Sequence, residues 1–234
     1  MRTMRGVVAF LVMASLIGIG GCKTISSWTG GGGGGNQGGT VNGAPQPSAT
    51  ASKACILRVT FATLLQEHVC LVGATTDAAI AGRQDEFRAG QAAVDKNAVA
   101  LQDALSNVFD PQTADQFLTL WRKYNGYLFD YAMAQASNNQ DGQDKAIGEL
   151  EGFTEDFGGF LDQATASRLT KDSMADMFKE NILGMKAMID AQAAKDYVTA
   201  FTKEMIAEQD AQTLAATLSD EFVAQFPQKF TNDQ

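Results

Sequence analysis

Histidine, cysteine and proline are all scarce in this 234-residue chain, which has one, three and four of them. One histidine excludes the paired Glu-x-x-His motifs of di-iron bundles and the two-histidine motif of zinc proteases. The three cysteines show no Cys-x-x-Cys spacing, which excludes the common structural zinc sites. From Ser52 onward only Pro111 and Pro227 interrupt the chain, so long helices are permitted. Basic residues are outnumbered, with 18 Lys and Arg against 27 Asp and Glu and a formal net charge of −9. An acidic chain without a basic stripe is unsuited to nucleic acid and to electrostatic docking on anionic lipid. Strand-like alternation of useful length is missing. No nucleophile elbow and no paired-carboxylate signature stands out, so the chain reads as non-enzymatic.

The apolar run over residues 6–19 is too short to span a bilayer comfortably and follows a basic start at Arg2 and Arg5. It ends in Leu16-Ile17-Gly18-Ile19-Gly20-Gly21-Cys22. This heptapeptide resembles a bacterial lipobox, with Ile19, Gly20 and Gly21 ahead of the modified residue. The resemblance implies a signal peptide over residues 1–21, a diacylglycerol on the Cys22 thiol, and fatty acylation, palmitate included, of the new amino terminus. Several acyl chains, at about 0.8 kcal/mol per buried CH₂, hold a protein firmly on a membrane. The expected location is the cell envelope, with the domain extracytoplasmic and the N-terminal lipid as its membrane contact. Residues 22–51 then read as the lipidated cysteine and a flexible linker, because Gly30 to Gly35 is unbroken and Gly38, Gly39, Gly43, Pro45 and Pro47 follow. The glycine run is no phosphate loop, since no apolar strand precedes it and no Gly-Lys-Ser/Thr follows.

Residues 52–230 change character and form one helical domain. Alanine, leucine, methionine and glutamine dominate, and apolar residues recur at spacings of three and four. The expectation is an all-α bundle of about six helices. Asp110-Pro111 separates the second helix from the third, and Thr170 or Asp172 caps the fifth. The sixth carries the stripe Ile206, Asp210, Leu214, Leu218 and Phe222. Met174, Met177, Met185 and Met188 fall at core spacing on the fifth, and Trp121 reads as a core residue. Cys55 and Cys70 are fifteen residues apart, about 22 Å on one helix, so two free thiols are expected.

The helices also repeat. An offset of 113 carries His68 to Asn181, Asn97 to Asp210, Leu101 to Leu214, Leu105 to Leu218 and Phe109 to Phe222. An offset of 56 carries His68 to Tyr124 and Asn97 to Phe153. These offsets predict three copies of an antiparallel hairpin. Midpoints of the pairs fall at Gly82-Arg83, Asn138-Asn139 and Lys195-Asp196, where the turns should lie. Residues equidistant from a turn share one level. His68, Asn97, Tyr124, Asn181 and Asp210 are therefore the candidate polar core site, with Phe153 as its apolar member. The bland reading of His68 is a core histidine hydrogen-bonded to Asp210 or Asn97, with Asp210 holding it charged or fixing its tautomer.

From Leu57 to Phe230 the chain resembles a family of secreted bacterial helical domains, some of which carry an attached copper amine oxidase N-terminal-like domain. The matching pieces are Leu64-Leu65-Gln66-Glu67-His68-Val69, the segment from Phe117 to Tyr124, Ile189-Asp190-Ala191 and Gln225-Phe226-Pro227-Gln228-Lys229-Phe230. The resemblance implies histidine at four positions, which here are His68, Tyr124, Asn181 and Asp210. Four histidines would hold a transition metal; this chain keeps one, leaving a reduced site with His68 and Asp210 as its ligands. Two functions follow as expectations. One is a lipoprotein that displays a helical binding or structural domain to an envelope protein or glycan partner, without a cofactor. The other is an envelope protein that binds copper, zinc or iron around His68 and Asp210.

Overall fold

A computed structural model describes residues 52–231. The lipobox, Cys22 and the linker lie outside the described residues. Seven helices account for nearly all of the described chain: α1 (Lys53–Ile80), α2 (Gln84–Ser106), α3 (Pro111–Ala136), α4 (Gln140–Ala164), α5 (Lys171–Ala193), α6 (Tyr197–Gln225) and the short α7 (Pro227–Phe230). There is no strand among the described residues.

Local chemistry sets the helix starts. Side-chain oxygens at the N-caps satisfy backbone N–H groups that a helix leaves free in its first turn. Ser52 accepts from Cys55, Asp110 from Thr113, Asn139 from Gly142, Thr170 from Ser173 and Asp196 from Thr199. Pro111 and Pro227 each occupy a first helical turn, where a missing N–H costs nothing.

The three predicted turns share one construction. Gly82, Asn138 and Lys195 adopt left-handed φ values of 71°, 51° and 59°. In each turn the next residue donates its N–H to the carbonyl five positions back: Arg83 to Ala78, Asn139 to Ala134 and Asp196 to Ala191. This is the six-to-one bond of a Schellman motif. The left-handed residues are separated by 56 and 57 positions, so the backbone repeats with the period of the sequence.

Packing follows the same symmetry. α1 pairs with α2, α3 with α4, and α5 with α6. The first helices of the hairpins, α1, α3 and α5, also touch one another and form the inside. Each second helix bridges two of them: α2 lies on α1 and α3, α4 on α3 and α5, and α6 on α5 and α1. The last helix therefore packs on the first and closes the ring. α1 is long and apolar enough to cross a membrane by composition alone. Its place against four other helices supplies another reason for that apolarity.

The core is continuous. Phe117, Trp121, Tyr124, Phe153, Phe157 and Phe178 form an aromatic cluster across α3, α4 and α5, with Phe157 and Phe178 centroids 4.5 Å apart. Met174, Met185 and Met188 are fully buried, as their spacing predicted, while Met177 is only half-buried and packs against the edge of the core. On the first half of α6 the predicted stripe is displaced by one residue. Ala207 and Ala211 are buried while Ile206 is 43% exposed and Asp210 lies at the surface. Alanines let α6 sit close against the bundle, and the larger neighbours turn outward. The predicted Leu214, Leu218 and Phe222 then join the core. Cys55 and Cys70 both lie on α1 as free thiols.

Candidate functional site

The repeat brings three of the five predicted site residues together. His68 on α1, Tyr124 on α3 and Asn181 on α5 occupy equivalent positions of the three inner helices. The His68 and Tyr124 rings are 5.8 Å apart, and Tyr124 donates its hydroxyl to Asn181 Oδ1 at 3.0 Å. Phe153 stacks on Tyr124 at 4.9 Å. Burial pushes the Tyr124 hydroxyl above its ordinary pKa, so it stays protonated and a donor.

The other two members sit elsewhere. Asn97 reaches from α2 to α1, donating to the Leu64 carbonyl at 2.9 Å and to Glu67 Oε2 at 3.0 Å. Asp210 lies exposed on α6. It lines a surface recess of about 330 Å³ with Asn181, Asp176, Glu180 and Thr213. The expected His68 hydrogen bond to Asp210 or Asn97 is not made. Both imidazole nitrogens lack a hydrogen-bond partner among the described residues. The ring lies 5.1 Å from the Trp121 indole, whose N–H is likewise unpartnered. Nor is His68 held charged: burial pushes its pKa down to about 3, so the ring is neutral at pH 7. The reason is positional. Asp210 shares the level of His68, but it sits on an outer helix with its side chain toward solvent. Level is legible in an antiparallel repeat; the facing side depends on the helix rotation, which the alanines set.

Three further features escape the sequence reading. At the turn end of the bundle, Asp190 gathers Tyr131 at 2.5 Å, Gln135 at 2.6 Å and Lys186 at 2.7 Å. Gln192 ties α5 to α1 by donating to the Gly73 carbonyl at 2.9 Å while accepting from Thr76 at 2.8 Å. On the α1–α6 seam, Cys70 donates its thiol hydrogen to Glu208 Oε1 at 3.1 Å, beside Glu204. The ring closure makes this last pairing intelligible. Moving two residues along α1 from His68 to Cys70 moves two residues back along α6 from Asp210 to Glu208. Moving ten residues the other way reaches Arg58 and Asp220, which form an ion pair at 3.1 Å.

The first turns of α6 also expose large apolar side chains. Tyr197 is 57% exposed, Val198 80%, Phe201 66% and Met205 63%. Residues 197, 201 and 205 recur every fourth position and share one face.

Comparison with protein-family models, with curated proteins and with solved structures finds no match. The geometry of the bundle is therefore the basis of the functional reading.

Proposed function

We propose that this protein is a bacterial envelope lipoprotein, held on a membrane by acylated Cys22, whose helical bundle is a protein-binding module. The observation that carries the reading is the exposed apolar face of α6 built from Tyr197, Val198, Phe201 and Met205. Exposed apolar residues clustered on one face mark interaction sites more often than scattered ones. The chemistry favours a protein over the alternatives. Val198, Met205 and Ile206 offer a glycan no hydrogen bond, and Glu204, Glu208 and the net charge of −9 disfavour an anionic membrane. The face belongs to the turn end of the bundle, whereas α1 begins at the opposite end, after its cap Ser52. His68 is enclosed by Trp121 and Tyr124, which supports binding over a reaction at that residue.

A photo-crosslinking residue placed at Phe201 in the full-length protein, in its own membrane, tests the reading. The expected result is a discrete protein adduct that Val198→Asp abolishes and that a crosslinker at exposed Asp144 does not give. Equal labelling at both positions, or none, would sink it. Cys22→Ser should move the protein to the soluble fraction; retention in the membrane would overturn the anchor.

A further inference from the structure

Three metal-ligand side chains meet on the seam where α6 closes onto α1. One ligand atom from each of Cys70, Glu204 and Glu208 lies within 4.8 Å of the other two. Zinc–sulfur and zinc–oxygen bonds of about 2.3 and 2.1 Å put neighbouring tetrahedral ligands roughly 3.5 Å apart, so only a small contraction is needed. Glu204 and Glu208 are four residues apart on α6 and therefore project from one face. Cys70 comes from the opposed helix, which makes the set a two-sided clasp.

We propose that Cys70, Glu204 and Glu208 form a binding site for a divalent cation of the zinc type. This inference does not rest on the protein-binding reading or on His68. Two observations support it besides the clustering. The first is charge. None of the ion pairs among the described residues involves Glu204 or Glu208, so two carboxylates face each other without a cationic partner. The second is space. Gly73 lies one turn along α1 from Cys70, and a Cβ there would approach Glu204 Oε1 at 3.1 Å. The glycine thus leaves room for that carboxylate against α1.

The donor set selects the ion. A thiolate favours a borderline or soft metal over calcium or magnesium, and two carboxylates suit zinc better than copper(I). Without metal, partial burial and the two glutamates hold the thiol protonated, with its pKa pushed up to about 12. Binding replaces the hydrogen that Cys70 gives Glu208: the S–H bond breaks, the metal–sulfur bond forms and one proton leaves to solvent. Cys70 lies at the surface, so the fourth ligand position is open to water.

Full-length protein purified in detergent without added metal and titrated with Co²⁺, then with Zn²⁺, is the test. Expected are one equivalent of cobalt with sulfur-to-cobalt charge-transfer absorption, its displacement by zinc, and a melting temperature that zinc raises. Cys70→Ser should abolish the absorption and the zinc-dependent rise, while Cys55→Ser and Asp210→Asn leave both intact. Glu204→Gln and Glu208→Gln should each weaken binding by about tenfold or more. Circular dichroism of each variant confirms that the helices remain. A folded wild type without the charge-transfer absorption, or a Cys70→Ser variant that keeps it, would overturn the site.

Discussion

Tyr124 and Asn181, 57 residues apart, join two equivalent positions of the repeat through a single hydrogen bond of 3.0 Å. An antiparallel hairpin copied three times would place identical residues at these points. Here the copies have diverged into a donor and an acceptor, with His68 as a third member that bonds to neither. Tyr124→Phe removes the donor and leaves a half-buried Asn181 that water can reach. The expected loss is about 1 kcal/mol in urea denaturation. An unchanged midpoint would show that the bond contributes nothing.

His68 should be destabilising to the fold, and its removal should show it. Both ring nitrogens are buried without partners among the described residues. His68→Leu keeps the volume similar and is expected to stabilise the protein by about 1 kcal/mol at pH 7. The same variant should flatten the acid limb of the stability curve. The folded-state pKa is near 3, below the ordinary 6.5, so the unfolded chain binds a proton that the folded one refuses. Stability linked to His68 is complete above about pH 6.5 and falls by about 1.4 kcal/mol per unit as pH drops from there toward 3. Denaturation of both proteins at pH 7, 6, 5 and 4 checks the slope; parallel curves would refute the assignment.

Gly158 and Gly159, neighbours in α4, should respond oppositely to alanine. A Cβ at Gly158 would lie 2.6 Å from the Lys171 carbonyl oxygen, a backbone atom, whereas a Cβ at Gly159 meets nothing within 4 Å. Gly158→Ala is expected to cost about 1–3 kcal/mol by forcing α4 from α5. Gly159→Ala should stabilise by up to about 1 kcal/mol through helix propensity alone. Thermal melts of the pair make the comparison; equal signs would contradict the packing described for α4 and α5.

The repeated turns supply a further pair. Lys195 carries a φ of 59° at the position that Gly82 fills at 71°. Lys195→Gly should therefore stabilise by about 1 kcal/mol, since a side chain in the left-handed region is strained. Gly82→Ala should destabilise by a similar amount, about 1 kcal/mol or more. Urea denaturation of both variants tests this, and a destabilised Lys195→Gly would mean that the lysine side chain outweighs the strain.

These turns also show how much of the fold the sequence carried. Gly82, Asn138 and Lys195 were reachable because pairs of residues at fixed offsets have midpoints, and a midpoint is a turn. The Asp110-Pro111 break and the Thr170 cap were readable because both are local chemistry, whereas the capping role of Asp110 emerges only in the structure. The site was legible only in part. Tyr124 and Asn181 sit on inner helices, where a polar residue in an apolar stripe must point inward. Asp210 sits on an outer helix whose rotation follows Ala207 and Ala211, and alanine weighs little in any reading of apolar stripes. The Cys70–Glu208 pairing needs one further step, the closure of α6 onto α1, which no local pattern announces.

That closure also fixes how many hairpins the chain can hold. In an open stack of repeats the end units are exposed and need special caps, and units can be added or dropped. Here α1 and α6 serve as each other's neighbour, so no hairpin is terminal. Removing one would strip a wall from both of the others, and adding one would have to prise apart the seam. A three-membered architecture of this kind diversifies by substitution at equivalent positions, not by changing length, which is the pattern that His68, Tyr124 and Asn181 display.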